Sequence, residues 1–256
     1  MIRHIFIIVP SASMASPIKG AAALANALSR EQSVKVTFIS LKKETGGFSL
    51  LNEQIEKISL SLFVFLPSRL IELRRLIRLA GDRGPVAAIS FCFSADVFNS
   101  WCGDLTTTCS SVRGNLSKVY PETYGWLGKW VEFYHFSRLN KLDTVVSMTR
   151  AMSDVVAKKI GKKSPIIGNF IDEPTLVQFR HMDVVKGPRR FVYTGSMIRG
   201  KQPELLLRAI QVLQARGIDV SLDAYGDGPL LSNLRELAKT SIHPEQISFH
   251  GYVEKP

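Results

Sequence analysis

At 256 residues, with 45% hydrophobic and 21% charged residues, the chain can fill the core of one large or two small domains, and its composition excludes a disordered or low-complexity protein. Its formal net charge of +11 is uneven: residues 1–170 carry 22 Lys and Arg against 12 Asp and Glu, whereas residues 171–256 carry 11 against 10. Three scattered cysteines (Cys92, Cys102, Cys109) and five dispersed histidines show neither CxxC nor metal-ligand spacing, which argues against a zinc module or disulfide framework and fits a reducing, cytoplasmic setting.

In chain order, apolar patterning predicts a strand over 4–9, a loop over 10–19, an Ala-rich helix over 20–28 and a strand over 34–40, together a βαβ unit. The opening MIRHIFIIVPSA is too short an apolar run for a signal peptide and reads as core. Residues 58–66 read as a third strand, 69–80 as a helix, and 85–91 and 106–110 as further strands. Residues 139–146 lead into a strand, 151–159 read as a helix and 165–167 as a short strand. Such alternation argues for a parallel sheet covered on both faces. No apolar run reaches membrane-spanning length. The stretch NFIDEP (169–174), followed by polar sequence up to Arg190, marks the best boundary, giving expected domains of 1–172 and 173–256.

The pattern then restarts. A strand over 191–194 runs into Gly195, which permits a tight turn. Pro203 suits the first turn of a helix with Leu206, Ile210 and Leu213 inward, and Gly217 closes it. A strand over 219–225 ends in GDGP (226–229); a helix over 230–240 and a strand over 247–249 follow, then Gly251. In open α/β sheets, ligands bind beyond the carboxyl ends of strands, at helix N-termini. Gly195, Ser196, Arg199 and Lys201 fall there, and backbone N–H groups, a helix dipole and point cations suit a pyrophosphate. The same two cations also read as ordinary surface charges. GDG lacks the third glycine of a nicotinamide fingerprint, which disfavours that cofactor.

The order TGSMIRGKQPELLLRAIQVL, LDAYGDGPLLSNL, ISFHGYV resembles the donor domain of the group 1 (family 4) retaining glycosyltransferases of the GT-B fold, with weaker support from NFID (169–172), SSVRGN (110–115) and VVSMTRAM (145–152). The resemblance implies an α/β protein of two Rossmann-like domains: an acceptor-side domain (1–172) and a partial nucleotide-sugar donor domain (173–256). By the same resemblance, Lys201 holds the donor diphosphate and Gly195 and Ser196 approach it by backbone. Arg199 substitutes for an arginine that the family often carries where Ser196 stands. Gly226, Gly228, Gly251 and Tyr252 lie on the nucleotide side, and Gly20 and Arg113 on the acceptor and cleft side. No catalytic residue is assigned. Departures are Gln202 where the family has glycine, and a single glycine, Gly20, where it usually has two. The family's Glu-x7-Glu element should follow Gly251 and has no room here, so the chain is expected to be C-terminally truncated.

The implied reaction moves a hexose from a UDP- or GDP-sugar to a glycan or lipid-linked acceptor with retained configuration, in surface polysaccharide, lipopolysaccharide or glycolipid biosynthesis. Protein cations, rather than a metal or cofactor, would stabilise the leaving diphosphate. A non-catalytic protein that binds a nucleotide-sugar or a partner is the alternative, with a sugar-nucleotide epimerase or hydrolase behind both. The segment 67–83, with Arg69, Arg74, Arg75 and Arg78 among leucines, reads either as a helix packing on the sheet or as a peripheral contact with anionic membrane, such as the inner face of the plasma membrane. Nucleic-acid binding is disfavoured, because no aromatic stacking surface accompanies the charge.

Overall fold

The computed structural model describes residues 3–62, 65–170, 177 and 189–253. It divides into two compact units, Met1–Arg180 and His181–Pro256. The expected break at 172/173 lies outside the described residues.

The strands of the first unit are β1 (Arg3–Val9), β2 (Val34–Ser40), β3 (Glu56–Ser59), β4 (Val86–Phe91), β5 (Thr107–Val112) and β6 (Thr144–Ser147). All pair in parallel, in the order β3-β2-β1-β4-β5-β6. That is a doubly wound sheet whose order reverses between β1 and β4. Its helices are α1 (Ser16–Ser29), α2 (Leu66–Gly81), α3 (Phe93–Asn99), α4 (Leu116–Tyr124), α5 (Gly128–Leu139) and α6 (Arg150–Ile160).

The two-residue period of a strand sends neighbouring side chains to opposite faces. Phe6 and Ile8 of β1 pack with Leu73 and Ile77 of α2 and Phe98 of α3. Ile7 and Val9 pack with Ile18, Ala21 and Ala25 of α1. Both faces are therefore dry, which is why β1 reads as an unbroken apolar run.

Three local expectations change. Helix α1 begins at Ser16 with Pro17 in its first turn, four residues before the expected start at Gly20, so Gly20 lies inside the helix and not at its mouth. The apolar stretch 58–66 is not one strand: β3 ends at Ser59, where its pairing with the end of β2 stops, and Leu60–Leu62 form a 3-10 turn. Residues 165–167 make only a single bridge, Ser147 to Ile166. Helices α3, α4 and α5 carry no matching expectation.

In the second unit, β7 (Arg189–Thr194), β8 (Val220–Tyr225) and β9 (Ile247–Gly251) form a parallel sheet in sequential order. Helices α7 (Pro203–Ala215) and α8 (Leu231–Ala238) connect them. Val220, Leu222 and Ala224 of β8 pack on Leu207 and Ile210 of α7 and Leu234 of α8. The alternate residue Asp223 is bonded to Arg190 of β7 and His250 of β9.

Candidate functional site

Three loops converge at the carboxyl ends of β7, β8 and β9. The Gly195 N–H donates to the Tyr225 carbonyl (3.0 Å), the Met197 N–H to the Asp227 carbonyl (2.9 Å), and the Gly226 N–H to the Gly251 carbonyl (2.7 Å). Gly226 and Gly228 are glycines because nothing larger fits. A Cβ on Gly226 would overlap the Gly195 carbonyl oxygen, and one on Gly228 would stand 2.6 Å from that of Met197. Met197 is wholly buried in the core and pins the first loop from below, while Ser196, Arg199 and Lys201 are exposed.

Arg199–Lys201 form one 3-10 turn, Gln202 takes a left-handed conformation (φ 49°), and Pro203 starts α7. The left-handed Gln202 occupies the position where the family pattern has glycine, a backbone region in which glycine carries no Cβ penalty. Both cations thus sit on a single turn at the positive end of a 13-residue helix. Gly251 closes β9, and Tyr252 beside it is exposed.

On the sheet face away from α7 and α8, Asp223 accepts from His250 Nε2 (2.8 Å) and Arg190 Nη2 (2.9 Å), and the His250 ring stacks on Tyr225 at 4.4 Å. The hydrogen bonds from His250 and then Arg190 hold the Asp223 carboxyl below its ordinary value.

In the first unit, Arg113 follows β5 directly. Its Nε donates to Ser111 Oγ (2.9 Å), and its Nη1 to Asn169 Oδ1 (2.8 Å) and the Gly168 carbonyl (3.2 Å). The guanidinium carbon lies 4.2 Å from the ring centroid of Phe170 and 5.6 Å from that of Phe91 at the end of β4. Nη2 is buried and has no hydrogen-bond partner among the described residues. Burial lowers the Arg113 pKa, yet a guanidinium stays charged at any working pH. A fixed cation with an unused donor therefore stands beside the point where the strand order reverses. Gly20 is in α1, and a Cβ there would meet nothing within 4 Å, so no close approach requires a glycine.

A second polar assembly is fully enclosed. Asp96 of α3 accepts from His135 Nε2 (2.8 Å) and from Ser90 Oγ (2.6 Å), and the Tyr120 hydroxyl meets His135 Nδ1 (2.6 Å). Asn99 adds bonds to Ser90 Oγ and to the carbonyls of Ala88 and Cys109. Asp96 and His135 are each 2% exposed, so this network braces β4, β5, α3, α4 and α5 and does not face substrate.

The structure thus brings together Gly195, Ser196, Arg199, Lys201, Gly226, Gly228, Gly251 and Tyr252 at one sheet end. Arg113 and Gly20 belong to the other unit and to different elements within it. Asn169 and Phe170 on Arg113, and His250 and Arg190 on Asp223, were not anticipated, since their partners are remote in sequence. Among the described residues, no group of three or more His, Cys, Asp or Glu is placed to hold a metal ion, and no helix is long and apolar enough to cross a membrane.

Two Rossmann-like units, the second with glycine loops at its strand ends, make an α/β fold shared with GT-B glycosyltransferase structures. Among these is Anabaena Alr3699/HepE in complex with UDP-glucose: TM-score 0.69, 13% identity, covering 98% of this chain and 69% of that one. The lipopolysaccharide outer core galactosyltransferase WaaB in apo form matches at TM-score 0.65 and 11% identity, covering 100% and 69%. Phytolacca americana UGT2, complexed with UDP-2fluoro-glucose and pterostilbene, matches at 0.60 and 11%, covering 98% and 72%. No family model matches the chain, and no curated protein matches it in sequence. Likeness at such identity establishes the fold; function must be argued from the site.

Proposed function

We propose that the chain is a glycosyltransferase of the retaining, group 1 (family 4) type, moving a hexose from a UDP- or GDP-sugar to a glycan or lipid-linked acceptor in surface polysaccharide or glycolipid biosynthesis. The observation that carries this reading is the convergence of the Gly195–Lys201 turn, the Gly226–Gly228 loop and Gly251 at the carboxyl ends of three parallel strands. In it, Lys201 and Arg199 meet the donor diphosphate, and the backbone at Gly195 and Ser196 approaches it closely. Gly226, Gly228, Gly251 and Tyr252 border the nucleoside. Residues 173–256 are the donor-binding part, and residues 1–172, with Arg113 and the α1 end near Gly20, the acceptor side.

Glycosyl transfer leaves negative charge on the departing diphosphate. Cations held on a single turn stabilise that charge, and the positive end of α7 adds to them. The structures of HepE with UDP-glucose and of UGT2 with a UDP-sugar support a uridine donor for this fold. WaaB is named for the lipopolysaccharide outer core and UGT2 is complexed with pterostilbene, which are chemically unlike, so the fold leaves the acceptor open.

The test is to offer UDP- and GDP-hexoses with and without glycan or lipid-linked acceptors and follow nucleoside diphosphate release, then read the anomeric configuration of the product by NMR. Acceptor-dependent release with retained configuration is expected. An inverted product would overturn the retaining assignment, and binding without release would favour the binding-only alternative.

A further inference from the structure

Helices α4 and α5 form a hairpin, closed at Gly128, where a Cβ would collide with the Tyr120 carbonyl of α4. The hairpin is turned inside out relative to an ordinary surface helix. On α5 the polar Glu132 and His135 face inward with Phe136 and Leu139. Glu132 is held there by Ser117 (2.7 Å) and Lys159 (3.0 Å), and His135 by Asp96. Other aromatic residues are exposed: Trp126, in the 3-10 turn Gly125–Leu127 that joins the two helices, is 79% exposed, and Trp130 and Phe133 on α5 are 66% and 70% exposed. Trp130 and Phe133 lie three residues apart on one face of α5, and Trp126 stands in the turn just before that helix. A group of exposed aromatic residues of this kind marks a contact surface, because scattered exposure would need no such order.

Charge selects the occupant. Between residues 116 and 141 four basic side chains (Lys118, Lys129, Arg138, Lys141) stand against two carboxylates, the exposed Glu122 of α4 and Glu132, which is paired with Lys159. Lys129 and Lys141 are exposed on α5 and just beyond it, and Lys158 and Lys159 on α6, which packs against α5. Lys129 and Lys159, with Glu132 between them, line a groove beside Phe133 and Phe136. Tryptophan with an excess of basic over acidic side chains is the composition of a polypeptide surface at a lipid headgroup boundary, where indole rings sit in the interface and ammonium groups meet phosphates.

We infer that the α4–α5 hairpin is a docking surface for a membrane bearing anionic lipid, inserting Trp126, Trp130 and Phe133 at headgroup depth with Lys129 and Lys141 on the phosphates. This moves the membrane contact away from α2, where the sequence suggested it. On α2, Arg74 is committed to Asp104 (2.5 and 2.6 Å) and to the Trp101 carbonyl, and Arg75 to Glu72 (3.0 Å). The proposal does not rest on the nucleotide-binding reading, so its test uses no nucleotide.

The experiment is co-sedimentation of the 256-residue chain with phosphatidylcholine vesicles, with and without phosphatidylglycerol. The wild-type chain should bind the anionic vesicles and lose binding as salt rises. Trp126→Ser with Trp130→Ser and Phe133→Ser should weaken binding about tenfold or more, and Lys129→Gln and Lys141→Gln about fivefold each. Arg75→Gln should leave it unchanged. In a Trp101→Phe background, brominated lipid should quench the two remaining tryptophans, a readout that does not depend on how the serine variants fold. Absence of wild-type binding, unquenched tryptophans, or full binding by the aromatic variants would overturn the proposal. So would a wild-type dimer that the serine variants convert to monomer without any vesicle binding, since the aromatic surface would then be a protein interface.

Discussion

The carbonyl oxygen of Gly195 lies against the Cα of Gly226, leaving no room for a side chain between the loops that follow β7 and β8. Gly226 also has φ +137°, a backbone region that L side chains rarely adopt. Gly226→Ala should therefore cost the second unit at least about 1–3 kcal/mol and part the two loops. Gly20→Ala, inside α1 with open space around it, should be neutral or stabilise by about 0.5–1 kcal/mol. Urea unfolding of both variants checks the pair; equal midpoints would contradict the contact.

His135 and Asp96 are buried together, and each satisfies the other. Removing the ring in His135→Ala leaves the Asp96 carboxyl with only Ser90, and an unpartnered buried group is expensive. A loss of about 3 kcal/mol is expected. The double variant with Asp96→Ala should lose less than the sum of the singles, which a double-mutant cycle by chemical denaturation reads directly.

Burial pushes the thiols of Cys92 and Cys109 up to about 11 and that of Cys102 up to about 12. At pH 7.5 fewer than about one in a thousand is ionised, against about one in ten for a free cysteine. Iodoacetamide should label the native chain slowly, faster as pH approaches 11, and should label all three cysteines once urea unfolds it. Because the folded thiols hold their protons longer than the unfolded ones, their contribution to stability is intact below about pH 8.5 and falls as pH rises from there. Rapid labelling of native protein at neutral pH would show these residues to be accessible.

What could be read from sequence follows from how each segment is buried. β1 and β4 are covered on both faces, so each is a compact apolar run, whereas the apolar run beginning at Ile58 continues into the 3-10 turn Leu60–Leu62 beyond the strand and misleads about the length of β3. Helices α3 and α5 bury Asp96, Asn99, Glu132 and His135 while α5 exposes Trp130 and Phe133, so neither shows the apolar-inward period that marks a helix. The Gly195–Lys201 turn was legible because its parts are contiguous. The pairing of Asp223 with His250, 27 positions apart, and of Arg113 with Asn169, 56 apart, depends on parallel crossovers that bring distant strand ends together.

The central claim is that the second unit binds a nucleoside diphosphate through the turn that carries Lys201. Titration calorimetry with UDP and GDP tests it on three chains: wild type, Lys201→Ala, and Arg208→Ala on the exposed side of α7 as a control. The account predicts that the wild type and Arg208→Ala bind one of the two nucleotides alike, and that Lys201→Ala binds it about tenfold to a hundredfold more weakly. Equal affinity for Lys201→Ala and wild type, or no binding of either nucleotide by the wild type, would contradict it.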